Sequence, residues 1–143
     1  MDFARILEFV GNHPILVLAF IGTLGLLIVT ELRSRLSGMK SVGPVQATQL
    51  SNRENALFLD IRDDGEYNSG HIPEAIHIPL KHLPDRIKDL EKHKDRPVIA
   101  YCRSGSRSNS AGGILKKHGF ETVYNLSGGI MAWQSANLPV SKK

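Results

Sequence analysis

Apolar and polar positions divide this chain into two unlike parts. From Phe9 to Thr30 there are 22 residues without Lys, Arg, Asp or Glu, and Ile15 to Val29 is almost wholly apolar. As one helix the run would rise about 33 Å, close to the roughly 30 Å hydrocarbon core of a bilayer. The rest of the chain, about 100 residues, is too small to bury a helix that is apolar all round. The run therefore predicts a single membrane-spanning helix. A cleaved signal peptide is the rival reading, but Met1 to Glu8 carries Asp2, Arg5 and Glu8 rather than a net positive charge, and no small-residue cleavage site follows Val29. Arg33, Arg35 and Lys40 follow the run, against Arg5 before it. That bias predicts a plasma (inner) membrane protein whose C-terminal part faces the cytoplasm. Ala19 and Thr23, four apart, offer a small-residue contact for a helix partner in the membrane.

Ser37-Gly38-Met39-Lys40-Ser41-Val42-Gly43-Pro44 is punctuated by Gly and Pro and predicts a linker. The organisation expected is a tail and spanning helix over 1–36, a linker over 37–43 and a soluble domain over 44–143. Within that domain the period of the pattern keeps changing. Val45–Leu50 reads as a weak helix. Ala56–Ile61 is a nearly continuous apolar run, as in a strand buried on both faces. Ile76-His77-Ile78 is a short strand closed by Pro79. Leu83, Ile87 and Leu90 fall on one stripe of an amphipathic helix. A strand over 97–101, a helix from about Ser106 to His118 stopped by Gly119, a strand over 122–126 and a last helix carrying Trp133 complete the pattern. Strands alternating with helices predict an α/β fold, a parallel sheet with helices on both faces.

Composition changes this picture little. The chain has 143 residues, a formal net charge of +4 and a single cysteine, so no intramolecular disulfide can form. The six histidines form no His-x-x-x-His pair and have no cysteine pair nearby, which predicts no metal site. Lys92, Lys94 and Arg96 alternate with Glu91 and Asp95. That is a solvated helix end, not a nucleic-acid patch.

Cys102 carries the candidate chemistry. It follows the apolar strand Pro97–Tyr101 and opens the loop Arg103-Ser104-Gly105-Ser106-Arg107, which leads into a helix. Free N–H groups at a helix start, with arginines nearby, favour a thiolate over a thiol. A buried structural cysteine is the bland alternative, and two arginines within five residues argue against it. In a parallel α/β sheet, ligands bind beyond the C-terminal ends of the strands. Asp60 ends one strand and Cys102 follows another, so both are expected to face one crevice. Ser108, Ser110, Ala111, Gly112 and Gly113 make the following helix small on one side, letting it lie close to the sheet.

These residues resemble the rhodanese-like domain, the single-domain sulfurtransferase family. The match runs through Asp60-Ile61-Arg62, Glu66-Tyr67, Gly70-His71-Ile72, Ala75 and Ile78-Pro79, then Cys102-Arg103-Ser104-Gly105-Ser106-Arg107, then Leu126-Ser127-Gly128-Gly129, Ala132-Trp133 and Leu138-Pro139-Val140. With its spacers it covers about residues 43–140. The resemblance implies that Cys102 takes a sulfane sulfur from a donor such as thiosulfate, becomes a persulfide, and passes the sulfur to a thiol, cyanide or a protein acceptor, with no cofactor. It also implies that residues 103–107 hold the persulfide. Arg107 would close the loop and Arg103 would face solvent. Asp60 and Arg62 are supporting residues, with Arg62 either pairing with Glu66 or lining the crevice rim; Glu66, Tyr67 and His71 are expected to be structural.

Two rivals belong to other classes. Cysteine phosphatases place five residues between nucleophile and arginine, whereas this chain places four between Cys102 and Arg107, a tighter cradle. Arsenate reduction tends to need a resolving thiol, and the chain has no second cysteine. The other alternative is a membrane-tethered sulfur relay or scaffold with little free turnover.

Overall fold

The computed structural model describes residues 10–36 and 39–142. The chain divides into two units, Met1–Leu36 and Ser37–Lys143.

The first unit is built on helix α1, Pro14–Leu36. Residues 10–12 before it are also helical, and His13 lies outside both stretches. Proline is accepted at a helix start because its missing N–H would have no partner there, so Pro14 begins a new helix rather than continuing the old one. The 22-residue uncharged run is thus not one helix. Its continuous part, Pro14–Thr30, rises about 26 Å, short of the hydrocarbon thickness. Among the described residues no helix is long and apolar enough to cross a membrane, and the expected spanning helix is not supported there. Ile15, Leu18 and Phe20 are nonetheless more than 65% exposed. The Thr23 hydroxyl donates to the Ala19 carbonyl of the same helix, so the predicted contact pair is joined along its own backbone.

The second unit is a five-stranded, wholly parallel sheet. Its strands are β1 Lys40–Val42, β2 Leu57–Asp60, β3 Ile76–His77, β4 Val98–Tyr101 and β5 Val123–Leu126, in the order β1-β5-β4-β2-β3. The helices are α2 Pro44–Glu54, α3 Asp64–Ser69, α4 Leu83–Arg86, α5 Ser106–Lys117 and α6 Gly129–Ser135. The linker expectation needs correcting here. Lys40–Val42 is an edge strand in register with Tyr124–Leu126, and Met39 before it is buried. Three residues carry too little periodic signal to be read as a strand, and the pairing comes from β5.

Alternation along the central strands divides the core in two. Leu57, Leu59, Val98, Ala100 and Cys102 face Leu83, Leu90, Ala111 and Leu115. Phe58, Ile99 and Tyr101 face the opposite way, onto Ala47, Ile130 and Trp133, where the Phe58 and Trp133 rings meet edge-on at 5.2 Å. Leu59 is fully buried, and burial of such a side chain is worth about 1.5–3 kcal/mol. The predicted amphipathic helix over 83–90 is instead α4 followed by a 3-10 segment, Ile87–His93. Leu83, Ile87 and Leu90 are buried all the same, since three residues per turn keeps i and i+3 on one side.

Candidate active site

Strand β4 ends at Tyr101, and Cys102 is the first residue beyond it. The chain then turns through Gly105, whose φ of +99° suits glycine, and enters α5. The turn aims N–H groups back at the sulfur. The Gly105 N–H donates to Cys102 Sγ at 3.1 Å, and the Ser108 hydroxyl approaches the same sulfur at 3.7 Å. Burial pushes the Cys102 thiol up, but hydrogen bonds from the Ser108 backbone and hydroxyl, the Gly105 N–H and the Ser104 N–H outweigh it, and the net shift is downward. The sequence reading named helix-start N–H groups together with nearby arginines as the cause. The structure gives the larger part to the loop's hydrogen bonds.

A second glycine closes the loop from the other side. Gly129 has a φ of +57°, and a Cβ there would lie 2.4 Å from the Cys102 carbonyl oxygen and 2.5 Å from that of Arg103. The bare backbone of Gly129 lets the start of α6 lie directly against the active loop. The Ile130 N–H then donates to the Cys102 carbonyl at 2.9 Å and the Met131 N–H to that of Arg103 at 3.3 Å.

Arg107, at the far end of the loop, finds its partner on another element. Its guanidinium donates to both carboxylate oxygens of Glu66 on α3, at 2.9 and 2.8 Å. This paired, fork-like contact holds the Glu66 carboxyl below the usual carboxylate range. Arg103, Ser104 and Ser106 are exposed.

Asp60 does not share the crevice with Cys102. It stands in register with Tyr101, so it projects to the face opposite Cys102. There its carboxylate accepts from Arg62 through Nε at 3.0 and 3.1 Å and through Nη2 at 2.6 Å. Arg62 Nη2 also donates to the Gly70 carbonyl at 2.8 Å. The Tyr101 hydroxyl accepts from the Ile72 N–H at 3.1 Å, and burial, with Asp60 adding to it, pushes its pKa up. These groups are all buried, and unpaired they would be costly. Their joint pairing fixes the segment 60–72. The ion pair of Arg62 is with Asp60 rather than with Glu66, and Arg62 also lines an open cleft of about 420 Å³ beside the loop, with Glu66, Arg103, Ile130, Met131 and Gln134. Tyr67 lies stacked between His71 and His77, with centroids at 3.9 and 4.2 Å.

Two residues at the site were not singled out from sequence. Ser108, read only as small, is completely buried with its hydroxyl on the sulfur, on the Gly105 carbonyl at 2.9 Å and against Asn125 Oδ1. Asn125, on β5, is also buried. An asparagine inside an apolar strand was the available signal, since a buried amide needs a partner. Among the described residues no group of three or more His, Cys, Asp or Glu is placed to hold a metal ion.

Comparison with known proteins follows the same outline. The family described as the rhodanese-like domain matches residues 44–136. An uncharacterized protein of Escherichia coli K12, YibN, is 38% identical over 137 residues, covering 95% of this chain and 96% of its own length. A protein of Allochromatium vinosum named sulfurtransferase is 41% identical over 92 residues, 64% of this chain and 84% of its own. Among solved structures, a rhodanese-related protein from Thermoplasma volcanium superposes with a TM-score of 0.65 at 27% identity, covering 73% of this chain and 99% of the other.

Proposed function

Because this chain belongs to the rhodanese-like domain family, we propose that it is a sulfurtransferase that carries sulfane sulfur as a persulfide on Cys102. The observation that carries the proposal is a thiol lowered in pKa by a ring of loop hydrogen bonds at the C-terminal end of β4. In the first half-reaction the Cys102 thiolate attacks the outer sulfur of a donor such as thiosulfate, and sulfite leaves with the bonding pair. In the second, an acceptor thiolate or cyanide attacks the outer sulfur of the persulfide, and Cys102 leaves as the thiolate. N–H groups that stabilise one sulfur anion suit the outer sulfur of the persulfide equally. The name of the Allochromatium relative supports the same chemistry.

Treating the protein with thiosulfate and weighing the Cys102 peptide tests this reading. A gain of one sulfur atom in the native protein, absent in Cys102→Ser, is the expected result. No gain from any sulfane donor would leave the scaffold reading in its place. The phosphatase alternative predicts Cys102-dependent release of phosphate from an aryl phosphate. Against it, Arg107 is already paired with Glu66 and the loop is one residue shorter than such a cradle needs.

For location, we propose that α1 holds the domain at the cytoplasmic face of a membrane. Exposed apolar side chains along α1, the charges of Arg33 and Arg35 in its last turns and that of Lys40 beyond it support this. Such a surface left in water is an association liability, and lipid would cover it.

A further inference from the structure

Resting on the persulfide reading, we propose that Ser108 is a catalytic hydrogen-bond donor that receives the charge left on Cys102 when the persulfide is discharged, and that Asn125 is the residue positioning it. The argument begins with the number of protons available. A serine hydroxyl has one O–H to donate. Around the buried Ser108 Oγ stand three acceptors: Cys102 Sγ at 3.7 Å, the Gly105 carbonyl at 2.9 Å, and Asn125 Oδ1. Only one can be served at a time, and the charge on the sulfur decides which.

While Cys102 is a thiolate, donation to Sγ is charge-assisted and wins. Once the outer sulfur is attached, Sγ is bonded at both ends and its charge has moved outward. The O–H then turns to Gly105 or Asn125, a rotation about one bond. In the discharge step the acceptor thiolate forms a bond to the outer sulfur, the Sγ–S bond breaks, and its electron pair stays on Sγ. The hydroxyl swings back as that charge develops, so the interaction is stronger in the transition state than in the loaded enzyme. Such an interaction accelerates the step. Ser108 is held by the first turn of α5 and Asn125 by β5, so both partners are placed by regular elements. Arg107, at the start of α5 and paired with Glu66, is the charged side chain that interacts electrostatically with Cys102. A change at Ser108 leaves that charge in place.

The test compares native protein, Ser108→Ala and Ser108→Thr, with the fold of each checked by circular dichroism. Each is loaded with thiosulfate until the mass of the Cys102 peptide shows the persulfide, then mixed with dithiothreitol, and the single-turnover loss of persulfide is timed. Thiolate absorbance is titrated against pH in parallel. Removal of a hydrogen bond to a charged group should slow discharge of Ser108→Ala about tenfold or more and move its thiolate titration upward, and Ser108→Thr should restore both. Loss of the native discharge rate without movement of the titration, or without rescue by threonine, would mean a packing role and overturn the proposal. So would native discharge and titration in Ser108→Ala. If the native protein takes up no sulfur, the sulfurtransferase reading falls and this proposal with it. Normal loading with unaltered discharge in Ser108→Ala sinks this proposal alone.

Discussion

At the scale of single residues, Cys102 is governed by two opposed effects. Burial alone would keep the thiol protonated, because charge is penalised where water is excluded. The N–H groups of Gly105 and its neighbours and the Ser108 hydroxyl reverse that outcome. The rate of alkylation against pH is therefore expected to show its inflection below the free-cysteine value of about 8.5. An inflection at or above that value would mean that the loop does not stabilise the anion. The Glu66–Arg107 pair offers a second test at this scale. Both side chains are about one-third exposed, so solvent screening limits the pair to about 0.5–1 kcal/mol. The Glu66 carboxyl titrates lower in the folded chain than in the unfolded one, chiefly because of its hydrogen bonds from Arg107. Its contribution is thus present above the unfolded pKa and lost as pH falls through the lowered folded value. Denaturant melts of native protein and Glu66→Gln should differ at neutral pH and converge in acid. A gap that persists undiminished at low pH would contradict the sign.

At the scale of elements, the site is a junction of three segments meeting one loop. The loop continues β4, α5 supplies Ser108 and Arg107, and α6 is stitched to the carbonyls of Cys102 and Arg103. Gly129 makes the last contact possible. Alanine there is expected to destabilise the domain by about 2–4 kcal/mol, through the left-handed φ and displacement of α6 from the loop. Thermal melting would check this, and turnover should fall with it because the loop loses its support. An unchanged melting temperature would show that α6 can move aside. The small face of α5 has a matching purpose. A Cβ at Gly112 would lie 1.8 Å from the Met39 sulfur, so the chain entering β1 packs directly on the helix that starts at the active loop.

At the scale of the whole molecule, the chain joins a unit that carries the apolar helix α1 to an α/β unit of the rhodanese-like family. If α1 sits in lipid, the full chain should stay in the membrane pellet after carbonate washing, and protease added outside spheroplasts should spare the domain. Release by carbonate would mean that α1 does not embed. Digestion of the domain would reverse the topology, and recovery of a chain shortened by about 30 residues would favour a cleaved signal.

Much of the domain could be read from the chain itself, because the cause was local. Apolar runs near Leu57–Asp60, Val98–Tyr101 and Val123–Leu126 make buried parallel strands whatever surrounds them, and glycines 105, 128 and 129 bracket a thiol that must follow one of those strands. The family resemblance came from the same contiguous stretches. What required the tertiary structure was everything set by partners distant in sequence. Lys40–Val42 becomes a strand only because β5 lies beside it. Asp60 turns away from Cys102 because parallel register pairs it with Tyr101, and alternation then sends the next residue to the other face. Arg107 meets a carboxylate 41 residues earlier in the chain, and Ser108 gains its role from Asn125, which β5 brings beneath the loop. Local periodicity determines which residues are buried; only the packed sheet decides which buried polar groups meet, because hydrogen bonds join atoms that are close in space.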